Sequence, residues 1–121
     1  MKVRLITVKD STCREFSLSP NVEYEVLEIS GDYYRILNDP DTWPYGNDPV
    51  LFESKYFEIT DPTEPKFWTS MISDGERHCE PSFWGEFLME KYHDRDKVAH
   101  KEFWQSIRCH YPWTWEQRFD S

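Results

Sequence analysis

Val22-Glu23-Tyr24-Glu25-Val26-Leu27-Glu28-Ile29-Ser30-Gly31-Asp32-Tyr33-Tyr34-Arg35-Ile36-Leu37 is the stretch that decides the fold. Val22, Tyr24 and Val26 alternate with Glu23 and Glu25, the period of a half-buried strand. Leu27 and Ile29 then switch parity, which a bulge or a barrel corner near Glu28 explains. Ser30-Gly31-Asp32 supplies turn chemistry, and Tyr33 to Leu37 resumes as a strand. Residues 22–29 and 33–38 are therefore expected to pair antiparallel as a hairpin.

Working outward, residues 2–8 read as a strand with Val3 and Leu5 on one face and Arg4, Ile6 and Val8 on the other. A loop with Asp10, Ser11, Ser17, Ser19 and Pro20-Asn21 comes next. On the other side, Asn38 to Pro49 holds three prolines, three aspartates, two asparagines and a glycine, the composition of a long exposed loop. Trp43 and Tyr45 sit inside it. Val50-Leu51-Phe52 makes a short strand, Glu53 to Tyr56 a tight turn, and Phe57-Glu58-Ile59-Thr60 alternates again. Residues 62–80 show little periodicity and read as an extended or irregular connector. Pro81 then suits the first turn of a helix carrying Phe83, Trp84, Phe87, Leu88 and Tyr92 on one side and ending near His93. Asp96 is the expected N-cap of a second helix, with a stripe of Val98, Ala99, Phe103, Trp104 and Ile107 that Pro112 stops. Trp113 and Trp115 are expected to close the core between strands and helices. The fold class is α+β: a partly open five-stranded barrel at 1–61, a connector, and a helical hairpin with its tail at 81–121, in one domain.

A chain of 121 residues with 17% aromatics fills one core with large rings. No apolar run approaches the roughly 20 residues of a bilayer span, and the start lacks the pattern of a secretory signal. The expected setting is the cytoplasm, which three widely spaced cysteines, Cys13, Cys79 and Cys109, also suit. The net charge of −9 disfavours nucleic acid and anionic membranes and favours a basic protein partner. Residues 21–61 concentrate that charge, with ten carboxylates against Arg35 and Lys55, a net of −8.

The order of elements over residues 22–60 resembles a Src-homology-3 barrel. Gly31-Asp32-Tyr33-Tyr34 looks like the acidic-aromatic-aromatic start of that family's third strand. Leu51-Phe52-Glu53-Ser54-Lys55-Tyr56-Phe57-Glu58 looks like its closing segment, with Glu53 where the family has proline. The resemblance implies that Tyr33 and Tyr56 stand where aromatics line a polyproline groove. In size and charge the whole chain also resembles the small cytoplasmic immunity proteins that neutralise bacterial toxins, and the acidic inhibitors made by phages.

Catalytic and metal chemistry find little purchase. His78-Cys79 and Cys109-His110 offer soft ligands as adjacent pairs, whereas structural zinc sites space theirs two to four apart. Neither Cys79 nor Cys109 has the setting of an activated thiol. The four glycines are dispersed, so no phosphate loop forms. The reading is a non-enzymatic binding module without metal or cofactor, an acidic inhibitor of a basic partner. A peptide-binding adaptor using the barrel groove and a small enzyme with an unrecognised site are the alternatives. Its partner-binding residues are Trp43 and Tyr45 as anchors, Asp39, Asp41, Asp48 and Glu53 as the acidic rim, and Tyr33 and Tyr56 in the groove. Trp43 has a second reading, as a lid folded over the core.

Overall fold

Alternation begins the fold as expected: in the computed structural model, Lys2–Leu5 forms β1, with Val3 and Leu5 buried. The structure describes residues 1–6 and 17–119. The expected end of this strand at Thr7 and Val8, and the loop around Asp10, Ser11 and Cys13, lie outside the described residues. β2 (Glu23–Glu25) pairs antiparallel with β1, setting Tyr24 opposite Val3. β3 (Glu28–Ser30) pairs instead with β4 (Tyr33–Leu37), setting Ile29 opposite Tyr34.

The expected hairpin is thus divided. Only its second half pairs with Tyr33–Leu37. The backbone N–H of Val26 donates to the Met1 carbonyl at 3.0 Å, and that of Leu27 to the Arg35 carbonyl at 2.8 Å. Adjacent residues bond to different sheets, so the parity switch marks where the chain passes from one sheet to the other. Val26 and Leu27 both have 0% exposure there.

β5 (Pro49–Glu53), a 3₁₀ turn at Ser54–Tyr56 and β6 (Phe57–Asp61) stand in the expected places. Residues 62–80 depart from expectation. β7 (Trp68–Ser73) and β8 (Glu76–Pro81) form an antiparallel hairpin with six matched pairs, from Trp68 opposite Pro81 to Ser73 opposite Glu76. β8 also pairs with β3, setting Cys79 opposite Ile29. Asp74 and Gly75 make the turn with φ of +52° and +77°, the paired left-handed geometry of a two-residue hairpin loop.

The result is α+β, with a three-stranded sheet ordered β2-β1-β6 and a five-stranded sheet ordered β5-β4-β3-β8-β7. Among the described residues no strand ladder closes these sheets into one barrel. Both contribute to one core, which includes Val3, Leu5, Leu18, Tyr24, Val26, Ile29, Ile36, Phe52, Phe57 and Cys79. Phe57 meets Tyr34 at 6.0 Å and Phe52 at 6.2 Å between ring centroids. Burying each such side chain contributes roughly 1.5–3 kcal/mol.

The chain falls into two compact units, Met1–Pro81 and Ser82–Ser121. Pro81 ends β8 and the first unit rather than opening a helix, and in the second unit Phe87 adopts a left-handed φ of +63°. That conformation cannot continue a helix, so α1 runs only Leu88–His93. Trp84 stays buried before it, donating its indole N–H to Ser106 Oγ at 3.1 Å, while Phe83 and Phe87 are exposed. α2 (Lys97–His110) starts at the expected cap, with Asp96 accepting from the Ala99 N–H at 2.9 Å. Its buried residues are Ala99, Phe103, Ser106 and Ile107. Val98 is exposed and Trp104 half-buried, so the buried stripe is turned slightly from the expected one. Pro112 stops α2 and also begins α3 (Pro112–Phe119), where a missing N–H costs nothing. Trp113 and Trp115 are half-buried on α3, and Trp115 meets Phe119 at 4.6 Å.

Candidate functional site

Asn38 lies between the end of β4 and the loop, and it ties the loop together. Its side chain is buried at 5% exposure. Its Oδ1 accepts from the Asp48 N–H at 2.8 Å, its Nδ2 donates to the Tyr45 carbonyl at 3.0 Å, and its own N–H donates to the Asp48 carbonyl at 3.0 Å. One residue therefore joins both arms of the loop. Gly46 completes the fold-back, because a Cβ there would lie 2.1 Å from the Pro40 carbonyl oxygen. No side chain fits that approach.

Asp39 is occupied within the fold. Its Oδ2 accepts from Ser19 Oγ and its Oδ1 from the Tyr24 hydroxyl, both at 2.6 Å. The Tyr24 hydroxyl in turn accepts from the Ser19 N–H at 2.7 Å. Burial, and after it the hydrogen bond to Asp39, pushes the Tyr24 phenol up to about 12, so the ring stays neutral. The Asp39 N–H also donates to the Ser17 carbonyl at 2.8 Å. This network fastens the loop to the segment 17–19.

On that scaffold Trp43 stands 90% exposed and Tyr45 53% exposed. A cleft of about 480 Å³ opens between Ser17, Leu18 and Ser19 on one side and Asp39, Asp41, Thr42 and Trp43 on the other. Its floor is apolar at Leu18, and Trp43 and the exposed Asp41 stand among its outer residues. Such a cleft, with Trp43 and Asp41 among its lining residues, can take an extended or cationic side chain.

The remaining residues of the expected interface lie elsewhere. Tyr33 is opposite Glu53 at the far end of β4 from Leu37, where the loop departs. Four residue steps separate them, roughly 13 Å at about 3.3 Å each. Glu53 pairs there with Lys55 at 3.1 Å, and Lys55 Nζ lies 5.1 Å from the centroid of the half-buried Tyr56 ring. The structure thus gathers Asp39, Asp41, Trp43, Tyr45 and Asp48 on one loop and leaves Tyr33, Glu53 and Tyr56 at the opposite end of the strand.

His78 and Cys79 lie on β8, with Cys79 buried and its Sγ 3.6 Å from Ser70 Oγ. Cys109 and His110 end α2, where His110 stacks on Phe83 with centroids 4.1 Å apart. Among the described residues no group of three or more His, Cys, Asp or Glu side chains is placed to hold a metal. No described helix is long and apolar enough to cross a membrane.

Sequence reasoning missed Asn38, Ser19 and Tyr24 as the residues that build the site. Asn38 was legible in principle, since an asparagine at a strand end before a Pro- and Gly-rich stretch commonly bonds the backbone of its own loop. Against known proteins, the chain matches no family model, no curated protein and no solved structure.

Proposed function

We propose that this chain is a non-enzymatic binding module, an acidic inhibitor of the immunity type, that sequesters a protein with a basic surface. The observation that carries the reading is Trp43, 90% exposed on a loop held by buried polar bonds. A large ring left in water by a hydrogen-bonded frame contributes little to its own fold, and tryptophan is among the residues most favoured as interface anchors. Asp41 and Asp48 on the same loop, within a window of net charge −8, provide the acidic rim. Asp39 serves as the fastening of that loop, which removes it from the proposed rim. The order of strands that resembles a Src-homology-3 barrel fits this use, with the loop after β4 rather than the Tyr33 and Tyr56 groove as the contact.

Capture on the immobilised full chain, with mass spectrometry of retained proteins, tests the proposal. The expected result is a basic protein that elutes with salt and whose retention Trp43→Ala abolishes. Equal retention on the wild-type and Trp43→Ala chains overturns it.

A further inference from the structure

β7 is an edge strand of the five-stranded sheet, and among the described residues it carries none of the charge, proline, bulge or brevity that ordinarily blocks edge pairing. Edges are normally protected by charge, by proline, by a bulge or by brevity. Trp68–Ser73 is six residues long, pairs with β8 without a register break, and contains neither a charged residue nor a proline. Thr69 to Ser73 are all exposed, with Met71 at 61% and Ile72 at 75% on opposite faces.

The hydrogen-bonding alternation directs free backbone groups outward. In a two-residue hairpin the flanking pair, here Ser73 and Glu76, is the bonded one, so bonded pairs recur at every second residue. Ile72 and Arg77 form the next, non-bonded pair. Arg77 confirms the phase, since its carbonyl accepts instead from the Gly31 N–H on the other side of β8 at 3.0 Å. Ile72 and Ser70 therefore turn their N–H and C=O groups to the open edge.

We infer that β7 pairs antiparallel with β7 of a second copy of this chain, joining the two five-stranded sheets across a two-fold axis. The edge itself selects this occupant, because its outward residues Ser70 and Ile72 lie evenly about Met71 and so complement a second copy. A basic strand would meet no carboxylate along Trp68–Ser73, whereas a second β7 brings an equally uncharged edge. Centred on Met71, the pairing sets Met71 against its own copy, Ser70 opposite Ile72 and Thr69 opposite Ser73. Ser70 and Ile72 then supply the bonded pairs their outward groups require. The −9 charge of each chain opposes the approach at long range, so added salt strengthens this contact, while it weakens binding of a basic partner at the loop.

Sedimentation equilibrium of the full chain over a range of protein and NaCl concentrations tests the inference. The mass should rise from 14.7 kDa towards twice that value with concentration, and more readily in higher salt. Ile72→Lys should raise the dimer dissociation constant about tenfold or more. Ser70→Pro, which removes an outward N–H that the fold does not use, should abolish the dimer while circular dichroism stays native. A monomer at every concentration overturns the inference and leaves the edge to a strand from another protein. So does a dimer that survives Ser70→Pro.

Discussion

The loop from Asn38 to Asp48 and the hairpin from Trp68 to Pro81 both hold large apolar side chains in water, by opposite means. The loop has no regular ladder. It is held by one buried amide, one occupied carboxylate and a glycine that allows backbone to touch backbone. The hairpin has a complete ladder on one side and open backbone groups on the other. A loop frozen by side chains can present one ring as a point anchor, whereas a strand presents a line of backbone groups that selects another strand. The two regions should therefore respond differently to the same kinds of damage.

The largest effect is expected in the loop frame. Asn38→Ala strands the Asp48 N–H and the Tyr45 carbonyl away from their partner and should cost about 2–4 kcal/mol in urea unfolding. Gly46→Ala should cost as much, through the Pro40 carbonyl. Loss below about 1 kcal/mol in both would mean that the loop does not depend on this frame.

Next comes the fastening at Tyr24. Its folded-state pKa is about 12 against an ordinary value of 10, so its contribution is full below pH 10 and is lost as pH rises towards 12. Wild-type stability should fall by roughly 1–2 kcal/mol across that window from this residue. Tyr24→Phe should flatten the fall, as measured by urea midpoints at each pH.

In the hairpin, Gly75→Ala forces a side chain into φ +77° and should cost roughly 1–2 kcal/mol. Space is not the obstacle there, since a Cβ at Gly75 meets nothing within 4 Å. The smallest effects belong to the exposed residues themselves. Ile72→Lys should change stability by no more than about 0.5 kcal/mol, because the side chain is 75% exposed.

These two regions also differ in how far the sequence disclosed them. The loop was legible because Pro40, Pro44, Pro49, Gly46 and Asn47 exclude regular structure whatever surrounds them. The hairpin was not, since Thr69 to Ser73 are exposed on both faces and so carry no alternation to read. Its one available signal was Asp74-Gly75, the dipeptide of a two-residue turn. Val22 to Leu37 was half legible: the parity switch was visible, but a change of sheet and a bulge leave the same trace in sequence. For the first helix, the apolar spacing of Phe83 to Tyr92 suggested one long element. The left-handed Phe87, which no local pattern announces, shortened it. At the site, composition disclosed Trp43 and its acidic neighbours, while the assignment of Asp39 to the fold required the position of Tyr24, fifteen residues away.

The central claim, that Trp43 is presented rather than packed, is tested most directly by thermal unfolding of Trp43→Ala beside the wild type, with partner dissociation measured on the same preparations. The melting curves should coincide within about 0.5 kcal/mol of stability, and the complex should dissociate faster. A sharp fall in melting temperature with partner retention intact would make Trp43 a lid over the core and contradict its role as a presented anchor.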